Sequence, residues 1–183
     1  MRAAFGGLVL ATALAADPAM AAPARTSAAT SSTARLSPVQ LWGGMGYYNV
    51  GGGGSSGSDF GFNGGGSYAV PINVDFSALG FGNLGLAFGD VFTLPITAGG
   101  GIRFDHLGPV QLSALLGFTV APIGNSVGTK PGLGFGVMGN YPLRGQLPSL
   151  PNLGLQAQFM YHVLADSLHI WTLNFGVTYD LPY

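Results

Sequence analysis

The chain has 183 residues, of which 7% are charged and 32 are glycine; it has no cysteine, and its formal net charge is −1. This length fits one domain, and so little charge makes a poor soluble surface, because soluble domains carry about 25% charged residues. The composition excludes disulfides and thiolate metal sites, and without a basic patch it argues against nucleic acid as a partner.

The N-terminal residues have the features of a secretory signal peptide. Arg2 precedes an uncharged apolar run over residues 3–16, and residues 19–21 (AMA) place small side chains where signal peptidase cleaves. The run is shorter than the ~20 residues that a membrane-spanning helix needs. The predicted boundaries are a signal peptide over residues 1–21, a flexible periplasmic tail over 22–38 and a folded domain over 39–183, with Ala15 and Ala22 as alternative cleavage sites.

From residue 39 onward, apolar residues alternate with small or polar ones, as expected for strands with two different faces. In residues 110–120, for example, Leu112 and Leu116 share one face, and Gln111 and Ser113 share the other. Most of these segments are about as long as the ~9–11 residues of a tilted membrane strand. Eight are predicted, the first and third being less regular: 39–49, 67–77, 81–91, 94–105, 110–120, 132–143, 153–163 and 168–183.

Two kinds of all-β structure could hold such strands. In a soluble sandwich or lipocalin-like barrel the outer face would consist of Gly, Ser, Asn, Gln and Thr with almost no Lys and no Glu, which predicts poor solubility. In a membrane barrel the apolar face contacts lipid, and the small and polar face lines the lumen. We therefore predict one transmembrane antiparallel up-and-down β-barrel of eight strands. Aromatic residues suited to its interfacial girdles are Tyr47, Tyr68, Phe76, Phe104, Tyr141, Tyr161, Trp171, Tyr179 and Tyr183.

The strand order also predicts where the connections lie. With the C-terminus in the periplasm, the external connections are 49–66, 89–93, 122–131 and 165–167, and the periplasmic ones are 77–80, 106–109 and 144–151. The first external connection would be the longest and rich in glycine and serine. It would offer Phe60 and Phe62 as contacts for lipid headgroups or for a partner.

Three charged residues fall on the face that is expected to line the lumen: Asp75, Arg103 and Asp105. A charge enclosed in a narrow lumen must be paired or hydrated, and an eight-stranded barrel is just wide enough for side chains to fill it. A structural network is therefore expected. The alternative is a gate or a polar permeation path, in which glycines of the same face leave unfilled space: Gly99, Gly101, Gly132, Gly134 and Gly136.

The last strand carries a polar residue, a glycine and hydrophobic residues at a characteristic spacing: Asn174, Gly176, Tyr179, Leu181 and the terminal Tyr183. Together with the signal peptide and the amphipathic strands, this pattern resembles that of the small eight-stranded outer-membrane β-barrels of Gram-negative bacteria, the OmpA/OmpX type. The resemblance implies location in the outer membrane, contact with its lipids and recognition of these five residues by the barrel assembly machinery. Pro182 departs from the usual ending.

Three functions are compatible with such a barrel. The first is a non-enzymatic, structural or small-pore role, and the second is binding or adhesion through the first external connection. The third is a lipid-modifying enzyme that uses polar residues near the last external connection, His162, Asp166, Ser167 and His169, although their spacing matches no hydrolase motif. We expect the first, with no catalytic residue, no metal site and no cofactor; nothing in the sequence specifies an oligomeric state.

Overall fold

Strands follow the alternating segments over most of the chain. The computed structural model describes residues 38–52, 56–89, 91–105, 107, 110–124, 127–144 and 146–182, so the predicted signal peptide, the predicted tail up to residue 37 and Tyr183 lie outside the described residues. No helix in this part of the chain is both long and apolar enough to span a membrane. The strands of the described residues are β1 Val39–Gly51, β2 Gly57–Pro71, β3 Phe76–Ala87, β4 Ile96–Phe104, β5 Gln111–Ile123, β6 Gly128–Pro142, β7 Leu153–Leu164 and β8 His169–Asp180.

These eight strands of the described residues form one closed antiparallel barrel. Each strand pairs with its neighbours in sequence, and β1 pairs with β8, where Gln40 lies opposite Asp180 and Gly51 opposite His169. Closure leaves no strand edge unpaired, which is the condition for a sheet to cross a lipid bilayer. The predicted fold class and the predicted number of strands are confirmed.

The connections divide the barrel into two ends. We call the end that holds the start of β1 and the end of β8 the lower end, and the opposite one the upper end. Connections at the lower end are residues 72–75, 105–110 and 143–152, and those at the upper end are 52–56, 88–95, 124–127 and 165–168. The predicted connection over 122–131 is too long, because β5 runs to Ile123 and β6 begins at Gly128.

The predicted first external connection, 49–66, is wrong over most of its length. Residues 57–66 belong to β2, and only residues 52–56 separate β2 from β1. The glycines of this stretch lower its strand propensity, but pairing with β1 on one side and β3 on the other holds it in the sheet. Phe60 and Phe62 are therefore outward-facing strand residues, 77% and 56% exposed.

The predicted strand over 67–77 is also wrong, since it combines the end of β2, a turn and the start of β3. Pro71 ends β2, and the side-chain carbonyl of Asn73 accepts hydrogen bonds from the backbone N–H groups of Asp75 and Phe76, both at 2.9 Å. Such an Asx turn reverses the chain within four residues. As a consequence β3 begins at Phe76 rather than residue 81, and the predicted turn over 77–80 lies inside it.

Candidate functional site

The lower part of the lumen contains a buried ion pair. Arg103 Nε lies 2.6 Å from Asp105 Oδ1, and the two side chains are only 6% and 7% exposed. Ser77 donates a hydrogen bond of 2.5 Å to the other carboxylate oxygen of Asp105. Asp75 does not face the lumen as predicted: it lies exposed in the 72–75 turn, where its backbone carbonyl accepts the N–H of Asp105 at 2.8 Å. Two of the three predicted residues thus come together.

A chain of three side chains crosses the lumen nearby. Asn140 Nδ2 donates to Gln40 Oε1 at 2.7 Å, and Gln40 Nε2 donates to Asp180 Oδ1 at 2.9 Å. Gln40 and Asn140 are buried, 3% and 2% exposed. These contacts could not be predicted from the sequence, because the two bonds join residues 100 and 140 positions apart in the chain.

The middle of the lumen is polar as well. Asn63 on β2 donates to Gln158 Oε1 on β7 at 3.0 Å, and the Thr119 hydroxyl lies 3.0 Å from His162 Nδ1 and 2.9 Å from the Thr97 hydroxyl. The Thr97–Thr119 contact joins neighbouring strands, whereas the other two bonds join strands that are not adjacent; together they fix side chains in the lumen. Asn63 was missed at the sequence level because its segment was assigned to a loop.

An apolar cluster of buried residues lies near the upper end of the barrel. Its buried members are 0–6% exposed, and they are contributed by four strands and two connections: Val50, Val91, Ala121, Ile123, Leu164, Leu168 and Ile170. The 88–95 connection reaches this cluster because it folds back onto the barrel, where Thr93 bridges Ala87 and Ile123. We refer to these seven residues as the upper cluster.

The lumen glycines do not leave the open space that a permeation path requires. A side-chain carbon on Gly134 would lie 2.7 Å from the Thr119 hydroxyl and 2.8 Å from His162 Nδ1, and one on Gly136 would lie 2.5 Å from the sulfur of Met160. At Gly99, Gly101 and Gly132 it would meet a backbone carbonyl oxygen of the neighbouring strand within 2.2 Å. The space beside these glycines is occupied by neighbouring atoms.

The predicted assembly signal spans both faces of β8. Asn174 is buried in the lumen, Gly176 lies opposite Gly44 in the closing pair, and Tyr179 is 45% exposed on the outer wall. Leu181 follows the strand, and its N–H donates to the Val39 carbonyl at 3.0 Å. Since Tyr183 lies outside the described residues, recognition of these five residues by the assembly machinery stays a prediction.

The outer wall is apolar on every strand. Large side chains such as Met45, Leu116 and Phe175 are 64%, 61% and 59% exposed, an amount of apolar surface that soluble monomers do not carry. Near the upper end, ring contacts run across five neighbouring strands from β2 through β1, β8 and β7 to β6. The rings in contact are Phe60 with Tyr47, Tyr47 with Trp171, Tyr161 with His169, and Tyr161 with Phe135. Aromatic girdles of this kind lie at membrane interfaces.

The four polar residues considered for catalysis do not form a single site. His162 is buried in the lumen, whereas His169 stacks on Tyr161 with ring centroids 6.0 Å apart. Asp166 is paired with Lys130 at 2.6 Å. A nucleophile, a base and an orienting carboxylate must lie within hydrogen-bond reach of one another, and these residues do not. No group of His, Asp or Glu side chains in the described residues could hold a metal ion.

Comparison with known proteins identifies the fold. No protein-family model matches the chain, and no curated protein sequence matches it. The crystal structure of Ail, the attachment invasion locus protein of Yersinia pestis, superimposes with a TM-score of 0.54 at 20% identity, over 79% of this chain and 98% of that chain. The crystal structure of Neisserial surface protein A superimposes with a TM-score of 0.53 at 21% identity, over 80% of this chain and 99% of that chain.

The chain has the fold of the small outer-membrane β-barrels. Both similar proteins are matched over nearly their whole length, and the resemblance predicted from the sequence is confirmed at the level of the fold. A barrel with this fold and an apolar outer wall is built to contact lipid on its outside.

The lipid-facing wall can be tested with one charged residue. Leu116 lies near the middle of β5 and points outward, so we expect Leu116→Arg to lower the free energy of unfolding in lipid bilayers by about 2 kcal/mol. Ser58→Arg, outward near the upper end of β2, is the control and should cost less than about 1 kcal/mol. Urea titrations in liposomes measure both; equal values for the two variants would contradict a lipid-facing β5.

Proposed function

We propose that this protein is a non-enzymatic barrel of the outer membrane whose lumen does not conduct, and that its role is structural. The observation that carries the proposal is the upper cluster, whose seven apolar side chains are 0–6% exposed. A water-filled channel would leave lumen side chains exposed along its length. In the middle of the lumen, His162, Gln158 and Asn174 are also no more than 2% exposed.

The lower end supports the same proposal. A charge that lines a permeation path faces water, whereas the carboxylate of Asp105 is bound by Arg103 and Ser77. Its side chain is 7% exposed. Arg103 and Asp105 thus bind each other, as charges do in a packed interior.

The orientation and the assembly route form part of the proposal. The upper end would face the cell exterior and the lower end the periplasm, with outer-membrane lipids around the wall and the barrel assembly machinery reading the end of β8. Binding through the first external connection has less support, because only residues 52–56 remain of it. A lipid-modifying activity has less support because its candidate side chains lie apart.

Conductance measurements test the closed lumen. We expect the purified full-length protein to give no discrete conductance steps in planar lipid bilayers, with a general porin as the positive control. Steps that change when Arg103 is replaced by Met would place an ion path in the lumen and overturn the proposal. In the same preparations the lipid composition should stay constant over time, and accumulation of a deacylated or transacylated lipid would contradict the non-enzymatic role.

A further inference from the structure

Five buried polar atoms in the described residues have no hydrogen-bond partner, and all belong to the wall made by β5 to β8. They are Ser113 Oγ, Asn140 Oδ1, Gln156 Nε2, Gln158 Nε2 and Asn174 Oδ1. Their residues are 1–6% exposed. Because a buried polar atom without a partner is unfavourable by about as much as a lost hydrogen bond, such atoms are rare and require an explanation.

The unpartnered atoms form two matching pairs of one donor and one acceptor. Asn140 lies directly opposite Gln156 in the β6–β7 register, and Asn174 lies directly opposite Gln158 in the β7–β8 register. In each pair the glutamine offers an N–H donor and the asparagine a carbonyl acceptor. Side chains of directly opposite residues start about 4.5–5.5 Å apart, so a single small molecule can reach both.

The orientation of Asn140 is fixed by its neighbours. The carboxylate of Asp180 accepts a hydrogen bond from Gln40 Nε2, so the Oε1 atom of Gln40 faces Asn140. Asn140 must therefore donate to it through Nδ2. If the Oδ1 and Nδ2 atoms of Asn140 were exchanged, Oδ1 would face the Oε1 atom of Gln40, and two acceptors would repel each other. The Asn140 carbonyl therefore points away from this chain of hydrogen bonds, and rotating the amide cannot supply its missing partner.

We propose that the lumen binds two ordered water molecules, one between Gln156 and Asn140 and the other between Gln158 and Asn174. Water fits because a molecule in each site must accept one hydrogen bond from the glutamine N–H and donate one to the asparagine carbonyl. We call the water between Gln156 and Asn140 the lower water and the other the upper water. Ser113 lies opposite Met138, two positions from Asn140 on the lumen face, and its hydroxyl can give the lower water a third partner. Three partners are typical of buried water. A metal ion does not fit, since each site includes an N–H donor.

These sites are compatible with a closed lumen because each water is held by fixed partners below the upper cluster. They are internal components of the barrel and form no continuous path. They supply partners for the amide atoms that direct bonds, such as the 3.5 Å bond from Asn174 Nδ2 to Gln158 Oε1, leave unpartnered. The two water sites are expected whether the protein has a structural or a binding role.

A crystal structure of the full-length protein, at a resolution that shows ordered water, tests the proposal. We expect density for one water within hydrogen-bond distance of both Gln156 Nε2 and Asn140 Oδ1, and for another between Gln158 Nε2 and Asn174 Oδ1. In the Gln156→Met variant the lower water should be lost and the upper one kept. A direct hydrogen bond from Gln156 Nε2 to Asn140 Oδ1 or from Gln158 Nε2 to Asn174 Oδ1, or two sites without density in the wild-type protein, would overturn the proposal.

A solution measurement keeps the test independent of crystals and of the variant. In detergent micelles, the side-chain N–H groups of Gln156 and Gln158 should give cross-relaxation with water of the sign that indicates residence for longer than nanoseconds. Gln146, whose exposed amide donates to the Tyr141 hydroxyl, is the matched control and should show only fast-exchanging water. The same fast-exchange behaviour at Gln156 and Gln158 would contradict bound water.

Discussion

Replacing Arg103 with Met is expected to lower the free energy of unfolding by about 3–5 kcal/mol, because it leaves the Asp105 carboxylate buried without its cation. Met preserves most of the side-chain volume, so the effect is that of the lost charge and not of a cavity. Urea unfolding in lipid bilayers, followed by tryptophan fluorescence, measures the change.

Two further variants separate the buried pair from ion pairs in general. Arg103→Met combined with Asp105→Asn removes both charges and keeps a side chain that can bond to Ser77, so it should be more stable than Arg103→Met alone. Lys130 and Asp166 have the same 2.6 Å separation, but their side chains are 22% and 68% exposed. Lys130→Met should therefore cost at most about 1 kcal/mol. Similar losses in Lys130→Met and Arg103→Met would show that burial does not matter.

The sequence predicts the faces of the strands better than their ends. Alternation places Leu116 outward and Ser113 inward without any knowledge of the partners, because side-chain direction in a strand has a period of two. The same alternation runs through Val70, Ile72 and Val74, which hides the turn at residues 72–75. There the local bonds of Asn73 decide the structure, and apolar spacing carries no information about them.

The lumen could be predicted only in part, for a related reason. That Arg103 and Asp105 share the lumen follows from spacing within one strand and its end. Contacts such as Asn63 with Gln158 join residues 95 positions apart, and they depend on which strands face each other across the barrel. The number of strands sets the size of the lumen. To predict which glycine makes room for which large side chain, the register of every strand pair must also be known.

The closing pair of strands is where a small change should have a large effect. Gly176 on β8 lies opposite Gly44 on β1. A side-chain carbon on Gly176 would lie 2.2 Å from the carbonyl oxygen of Gly43, and one on Gly44 would lie 2.2 Å from that of Phe175. Both obstructing atoms belong to the backbone, so they can give way only if the two strands separate locally.

We therefore expect Gly176→Val and Gly44→Val each to cost about 3 kcal/mol and to reduce the yield of closed barrel. Gly82→Ala is the control, because a side-chain carbon there would meet nothing within 4 Å, and it should be neutral or stabilising by up to about 1 kcal/mol. Refolding from urea into detergent micelles, scored by the folded band on unheated SDS gels, measures the yield without any assembly machinery.

Gly44 and Gly176 together distinguish packing from recognition, because Gly176 belongs to the predicted assembly signal and Gly44 does not. If both positions require glycine because β1 and β8 approach closely, the two valine variants refold equally poorly in micelles, where no assembly machinery is present. If Gly176 acts only as part of the signal, Gly176→Val refolds normally in micelles and fails only in cells. The equal backbone distances of 2.2 Å on the two strands lead us to expect the first result.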